Sequence, residues 1–506
     1  MRCSFAINDC SADTWHRCKR LRHALYDQIE RLSARPLAAP RMTQNQLLVG
    51  DAFRPPLRAR ILRASAWTMT GHIGSQLLRL SSNLIMTRLL VPEMFGVMVL
   101  ANVILIGLQL FSDLGLGQGI VQSRRGNDLA YLNTVWTAQI IRGGVLWLLA
   151  VGIGLALNLL AESRWLPTGS VYADPILPYV VTVLSFSALI GGFVSTRLVT
   201  ANRNLAMGRI TLIELISQAS ALAIMLVWVL WDRSIWALVV GSLAASTLKV
   251  FLSHAILPGE KNTLHWDPEA FREILSFGKW IVLTSILGFL AANGDRLLLG
   301  GLTDPATLGL YAIAFFMVSA LQETSSKLIS YVAFPALSEV ARERPEDLKR
   351  IYYQFRLPVD VFILLATGAL FSAGHLLTDF LYDDRYLGAG HMIEILCIGM
   401  FEVRFALAVQ CFMAKGKSRL MVPLVLIRLL ALFGLMPLAY NLYGLDGALW
   451  IAGGSALFAL PLTIYFKIQN DLFDLKRELA VLPMLGIGYA LGIAINQAIL
   501  LLGWAN

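Results

Sequence analysis

Residues 67–122 read WTMTGHIGSQLLRLSSNLIMTRLL, then VPEMFG, then VMVLANVILIGLQLFSDLGLGQGIVQ. Two apolar runs, each long enough to cross a hydrocarbon core of about 30 Å, are joined by a connection of a few residues. Neither run is uniformly apolar. Thr68, His72, Gln76, Arg79 and Asn83 fall at steps of four, four, three and four, which is one face of an α-helix. In the second run Asn102, Gln109 and Asp113 recur at seven and four, again one face. Lipid cannot satisfy such a stripe, so each must look at protein or water. The pair reads as the wall of a wet cavity inside a bundle; the alternative is a stripe that only hydrogen-bonds to neighbouring helices.

Composition extends this reading to the whole chain. The 506 residues are 57% hydrophobic and 15% charged, with mean hydropathy +0.64. Soluble proteins carry roughly 25% charged residues, so the chain reads as an all-α polytopic membrane protein. Cys3, Cys10 and Cys18 lie near the N-terminus, and Cys397 and Cys411 share one hydrophobic run. No Cys-x-x-Cys or Cys/His spacing suggests a metal or a disulfide framework, and no cofactor is expected. The net charge of +9 is explained by its location in the membrane connections, not by a nucleic-acid partner.

Residues 1–63 hold twelve Lys/Arg against five Asp/Glu and no signal-peptide core, and read as a basic, mostly disordered cytoplasmic arm. Thirteen candidate spans follow, near 66–90, 97–120, 132–160, 176–197, 210–231, 235–257, 279–302, 307–335, 357–381, 388–414, 420–442, 445–466 and 480–502. With the N-terminus inside, the cytoplasmic connections hold nineteen Lys/Arg and the opposite side holds three, Arg164, Arg233 and Arg385. That asymmetry sets the orientation by the positive-inside rule. The segments 258–279 and 336–356 read as interfacial helices, the first with Pro268 near its start.

The chain also repeats itself. Pro92-x-x-x-Gly96-x-x-x-x-Ala101 recurs as Pro305-x-x-x-Gly309-x-x-x-x-Ala314, and the same offset of 213 carries Leu108–Gln109 onto Leu321–Gln322. Each copy falls where one helix ends, a Pro/Gly turn follows and the next begins. Two six-helix bundles are expected, 64–257 and 279–466, joined by a linker at 258–278. A cytoplasmic connection and one extra transmembrane helix, 467–506, close the chain. A six-span internal repeat is a transporter signature, with the substrate site between the halves.

These residues carry a family resemblance. SAWTMTGHIGSQLLRLSSNLIMTRLLVPEMFGVMVLANV with LFSDLGLGQGIVQ resembles the opening of the polysaccharide-export and O-antigen flippases, the Wzx/WzxC-like branch of the multidrug/oligosaccharidyl-lipid/polysaccharide superfamily. NGDRLLLGGLTDPATLGLYAIAF (293–315) and VAFPALSEV (332–340) resemble that family's seventh and eighth helices. The similarity spans roughly residues 57–470. It implies transport of undecaprenyl-diphosphate-linked oligosaccharide from the cytoplasmic to the outer leaflet of the bacterial cytoplasmic membrane. Alternating access of two bundles would carry it, for exopolysaccharide, capsule or O-antigen synthesis. Membrane lipid, and a polymerase and chain-length proteins of the same pathway, are the implied partners.

Such a substrate sets chemical demands. Its diphosphate suits Arg, whose planar fork binds phosphate oxygens bidentately. Its sugars suit amide and hydroxyl groups, and its polyprenyl tail can stay in lipid. Arg79 and Arg142 lie deep in the first and third spans; neither has an acid partner evident on its own helix. With His72, Gln76, Asn83, Gln109, Arg404 and Arg428 they are the candidate substrate contacts. Asp113, Glu323 and Glu402 are candidate ion-coupling carboxylates. Each has a plainer reading beside it. Glu323 and Lys327, one turn apart, can neutralise each other, and Asp295–Arg296 can be a structural pair. Lys249, Asp360, Glu214 and Arg197 lie near cytoplasmic helix ends and read as snorkelling or interfacial. His391, Glu394 and Glu402 share a face.

Rival functions are a peptidoglycan-precursor flippase, a drug or cation antiporter of the same superfamily and, least favoured, a membrane glycosyltransferase or polymerase. An antiporter for cationic drugs would favour an acid-lined cavity, whereas deep arginines suit an anion. A polymerase usually needs a sizeable extracytoplasmic loop, and the longest such connection spans about sixteen residues. Asn470-Asp471-x-x-Asp474 resembles a diphosphate–metal motif but lacks a second copy. No nucleotide-binding loop is evident, so the chain reads as a transporter and not an enzyme.

Overall fold

The computed structural model describes residues 57–501 apart from 113–114, 124 and 164. The basic arm expected over residues 1–63 therefore falls almost wholly outside the described residues, and so does Asp113. Every regular element described is helical.

The first half runs α1 (Leu57–Leu89), α2 (Pro92–Phe111), α3 (Leu116–Gln122), α4 (Leu129–Glu162), α5 (Leu177–Leu184), α6 (Phe186–Gly192), α7 (Arg197–Arg203), α8 (Met207–Trp231) and α9 (Trp236–Ala255). The second half runs α10 (Pro268–Leu302), α11 (Pro305–Leu328), α12 (Phe334–Glu343), α13 (Leu348–Leu381), α14 (Gly388–Leu396), α15 (Val403–Ala414), α16 (Met421–Gly454) and α17 (Leu460–Gln469). A short α18 (Leu475–Ala480) leads into α19 (Pro483–Leu501). Leu148, Leu155, Leu159, Leu230, Phe380 and Leu442 stand exposed on these helices, as lipid-facing side chains do.

Eight helices among the described residues are long and apolar enough to cross a membrane, nine if α5–α6 and the bent α7 are one span. Among the described residues each of the thirteen expected spans falls on helix, and those that miss that standard do so for visible reasons. Polar residues punctuate α1 and α10. The tenth span is cut by a 3-10 segment, Cys397–Glu402, into the short α14 and α15. α16 and α17 count as one stretch, yet Gly444 (φ 64°, ψ −148°) folds α16 on itself. A Cβ at Gly447 would strike the Ala439 carbonyl oxygen, whereas eight residues of continuous helix would separate them by about 12 Å. Only glycine takes that φ readily, so the eleventh and twelfth spans meet there.

The two copies of the repeat touch. Pro92 and Pro305 each open a helix, where a missing N–H does no harm, and Asp304 caps α11 by accepting from Thr307 N at 2.6 Å. A Cβ at Gly96 would collide with the Pro305 carbonyl oxygen, and one at Gly309 with the Pro92 carbonyl oxygen. The two copies meet there backbone to backbone, each glycine against the other copy's proline carbonyl. Leu100, Ala101, Leu308, Tyr311 and Ala314 fill the core beside this crossing.

Two expectations are corrected. Residues 268–279 do not form a separate interfacial helix; Asp267 caps a helix that continues unbroken to Leu302. The Arg125 guanidinium, which donates to Asp267 at 3.0 Å, holds that carboxyl below the usual carboxylate range. Asp360 is not interfacial. It is buried, for reasons given below.

Candidate functional site

The polar stripe of α1 lies along the seam between the halves. α1 and α11 run antiparallel there, so their polar residues meet in reverse order. Nζ of Lys327 lies 2.8 Å from Nδ1 of His72. Gln76 Nε2 and Arg79 Nη2 reach Glu323 Oε2 at 3.4 and 3.5 Å. Nearer the hairpins, Tyr382 donates to Asn83 Oδ1 at 3.1 Å, Arg385 donates to the carbonyls of Thr87 and Arg88, and Tyr386 donates to the Leu90 carbonyl. Four of the five stripe residues thus face the second half. Thr68 instead turns back to the Ala64 carbonyl.

The expected Glu323–Lys327 pair is not the partnership found. Each residue reaches across the seam instead, Glu323 to Arg79 and Lys327 to His72. Helix spacing proposes only partners on the same helix; here a cross-half partner displaces them. Exposure separates the two contacts in kind. The side chains of Arg79 and Glu323 are each 47% exposed, whereas His72 is buried.

Arg142 and Gln109 meet inside the first half. Arg142 Nε donates to Ser112 Oγ at 2.9 Å, and Nη2 donates to the Gln109 carbonyl oxygen at the end of α2. Such carbonyls lack helical partners, so a guanidinium suits the position structurally. Both residues line a cavity of about 230 Å³ with Gln139, Ser187 and Gly191.

In the second half Arg428 Nη1 donates to both carboxylate oxygens of Glu402 at 2.9 Å. The pair lines a cavity of about 260 Å³ with Gln410, Phe405 and Thr463. Glu402 does not join His391 and Glu394, despite their shared helical face: the 3-10 segment resets the angle. His391 approaches Asp446 at 3.0 Å, and His375 approaches Glu394 at 2.6 Å. Asp295 and Arg296 do not pair with each other. Asp295 accepts from Tyr311 OH, while Arg296 donates to Asn293 and lies 3.9 Å over the Phe315 ring.

Arg404 belongs to a dry network. Its Nε lies 3.2 Å from Asp360 Oδ1, and Arg356 Nε lies 3.1 Å from Asp360 Oδ2. Arg356 also pairs with Glu478, as does the fully buried Lys467, and Tyr353 donates to Glu478 at 3.0 Å. Rings of Tyr352, Tyr353 and Phe405 surround the Arg356 guanidinium at 5.4–5.8 Å. By sequence Arg356 and Lys467 count only among the Lys/Arg of the cytoplasmic connections. The i,i+4 spacing of Arg356 and Asp360 was an available signal; nothing local marked Glu478, which reaches the network from α18.

Among the described residues, no group of three His, Cys, Asp or Glu side chains could hold a metal ion. The Asn470–Asp474 stretch makes structural contacts. Asn470 Oδ1 accepts from Lys417, and Asp474 caps α18.

A family model described as "Polysaccharide biosynthesis protein" matches residues 85–390, more than half of the chain. The chain belongs to this polysaccharide biosynthesis protein family. It is 20% identical over 351 residues to the lipopolysaccharide biosynthesis protein WzxC of Escherichia coli K12, covering 68% of this chain and 67% of that one. It is 22% identical over 408 residues to a putative O-antigen transporter of Shigella flexneri, covering 77% of this chain and 93% of the relative. Among solved structures, the lipid II flippase MurJ in an inward closed conformation superposes with a TM-score of 0.63 at 10% identity, over 86% of this chain and 93% of MurJ. An inward-facing multidrug resistance MATE transporter gives 0.52 at 14% identity, over 78% and 94%. At these identities the structures show the fold alone, an all-helical one shared over most of the chain.

Proposed function

We propose that this family member flips undecaprenyl-diphosphate-linked oligosaccharide across the bacterial cytoplasmic membrane by alternating access between its two halves. The observation that carries this reading is the water-exposed Arg79–Glu323 pair across the seam. Exposed ion pairs are worth about 0–1 kcal/mol, so this one exchanges partners readily. An arriving diphosphate brings more negative charge and more acceptor oxygens than one carboxylate, and Arg79 can bind it through two parallel N–H donors. Glu323, displaced, then no longer ties α11 to α1. Substrate binding and loosening of the seam become the same event.

The names of WzxC and the O-antigen transporter place such relatives in polysaccharide pathways. Arg428 with Glu402 supplies a second, partly exposed pair beside a cavity in the other half. Gln76 and Asn83 are the amide contacts for sugars. Glu323 and Glu402 are the carboxylates released when phosphate takes their arginines. The charge asymmetry of the connections puts the N-terminus in the cytoplasm, so loading occurs there. The work done is translocation, with no bond made or broken. Asp113 keeps its place as a coupling candidate from sequence.

The test is reconstitution. Wild-type chain in proteoliposomes should move fluorescent undecaprenyl-diphosphate-linked oligosaccharide between leaflets, and Arg79→Ala should not. A chain that moves only the peptidoglycan precursor, or an Arg79→Ala variant that flips at the wild-type rate, overturns the reading.

A further inference from the structure

The His72–Lys327 contact constrains where protons sit. A lysine ammonium has three N–H donors and no acceptor, so at 2.8 Å the Nδ1 of His72 must present its lone pair. The imidazole in the closed seam is therefore neutral, with its proton on Nε2. That nitrogen is buried and has no hydrogen-bond partner. A second proton can enter only at Nδ1, the atom that receives Lys327. Protonation turns the acceptor into a donor and sets two cations face to face.

We propose that His72 is the proton-binding residue of the transport cycle and that its protonation unlatches the seam between α1 and α11. This rests on the flippase reading above and adds the coupling ion and its site. The charged neighbours favour such a switch. Lys327 and Glu323 face His72 from α11, and Arg79 lies two turns along α1. α8 packs on α1 through Thr211 and Leu215 at Gly71 and Gly74; its Glu214 lies 4.0 Å from Lys249, and its Arg209 is exposed. Glu323 is the carboxylate able to stabilise an imidazolium here, and in the closed seam it is held by Arg79 and Gln76.

The proton balance follows. One proton from the outer solution enters Nδ1, the Lys327 contact breaks, and the halves part on the cytoplasmic side. The proton leaves to the more alkaline cytoplasm as substrate loads, and neutral His72 accepts from Lys327 again when the seam closes. One proton moves inward for each lipid-linked anion moved outward.

The experiment uses the full chain in liposomes with spin labels at the exposed Ile73 and Glu343. No substrate is added, and pH is lowered from about 8 to about 5.5, across the ordinary imidazole range near 6.5. The wild-type inter-label distance should lengthen on acidification. In His72→Gln, whose amide oxygen accepts from Lys327 but takes no proton, it should stay fixed. Lys327→Met should abolish the pH response by removing the latch. A wild-type distance that ignores pH, or an unchanged response in His72→Gln, overturns the proposal. A second arm measures flipping of lipid-linked oligosaccharide with and without an imposed proton gradient. The ratio should be several-fold in wild type and fall to one in His72→Gln. A wild-type ratio in that variant overturns the proposal. A wild type that shows the distance response but flips no oligosaccharide overturns the substrate reading and supports the proton latch.

Discussion

Arg79 with Glu323, and Arg356 with Asp360 and Glu478, are built from the same side-chain types and differ in water. The first pair is nearly half exposed, joins the two halves and has one weak contact at 3.5 Å. The second is all but closed to solvent, links helices on one side of the seam and ties three cations to two carboxylates. Water makes the first contact cheap to exchange. Its exclusion makes the second expensive to break, because removing one partner strands an uncompensated charge, at about 3–5 kcal/mol. Exposure, not residue identity, divides the parts that move from the part that holds.

The contrast predicts an ordered series of effects. Asp360→Ala, which leaves Arg356 and Arg404 facing each other, should be the most damaging. Its loss of about 3–5 kcal/mol should appear as reduced protein in the membrane and a lower melting temperature in detergent. An Asp360→Ala protein as stable as wild type would erase the distinction. Gly96→Leu comes next, since a side chain there strikes the Pro305 backbone; overpacking of this kind costs about 1–3 kcal/mol, read by the same melt.

Arg79→Ala should leave the melt within about 1 kcal/mol of wild type while abolishing polymer export in a complementation assay, and Arg79→Lys should restore only part of it. A large loss of stability in Arg79→Ala would move this residue into the holding class. Smallest is Arg350→Ala, which removes an exposed i,i+3 pair with Asp347. It should change the melt by less than about 0.5 kcal/mol and leave export intact.

The same contrast explains what was legible in the sequence. The repeat was legible because Pro and Gly mark backbone geometry, and the same geometry is needed twice, at Gly96 and Gly309. The stripe of α1 was legible because helical periodicity needs no partner to be seen. Its partners were not, since Glu323 lies 244 residues beyond Arg79 and no local rule joins them. The cavity beside Arg142 was legible but its partner was not, because the Gln109 carbonyl it holds is backbone and has no signature in sequence. By sequence Lys467 lies in a basic connection and counts only toward orientation, and Glu478 carries no signal there at all. Burial by α13 and α15 gives them their weight.

The mutual contact of Gly96 and Gly309 carries a mechanical consequence. Two backbones with no side chain between them leave no slack, so the hairpin ends cannot slide, but they can roll. That makes the crossing a fulcrum, with α2 and α11 as lever arms. A tilt of about 10° there displaces points about 30 Å along a helix by roughly 5 Å, while the fulcrum itself barely moves. The two repeated turns would then act as the axle on which the far ends swing.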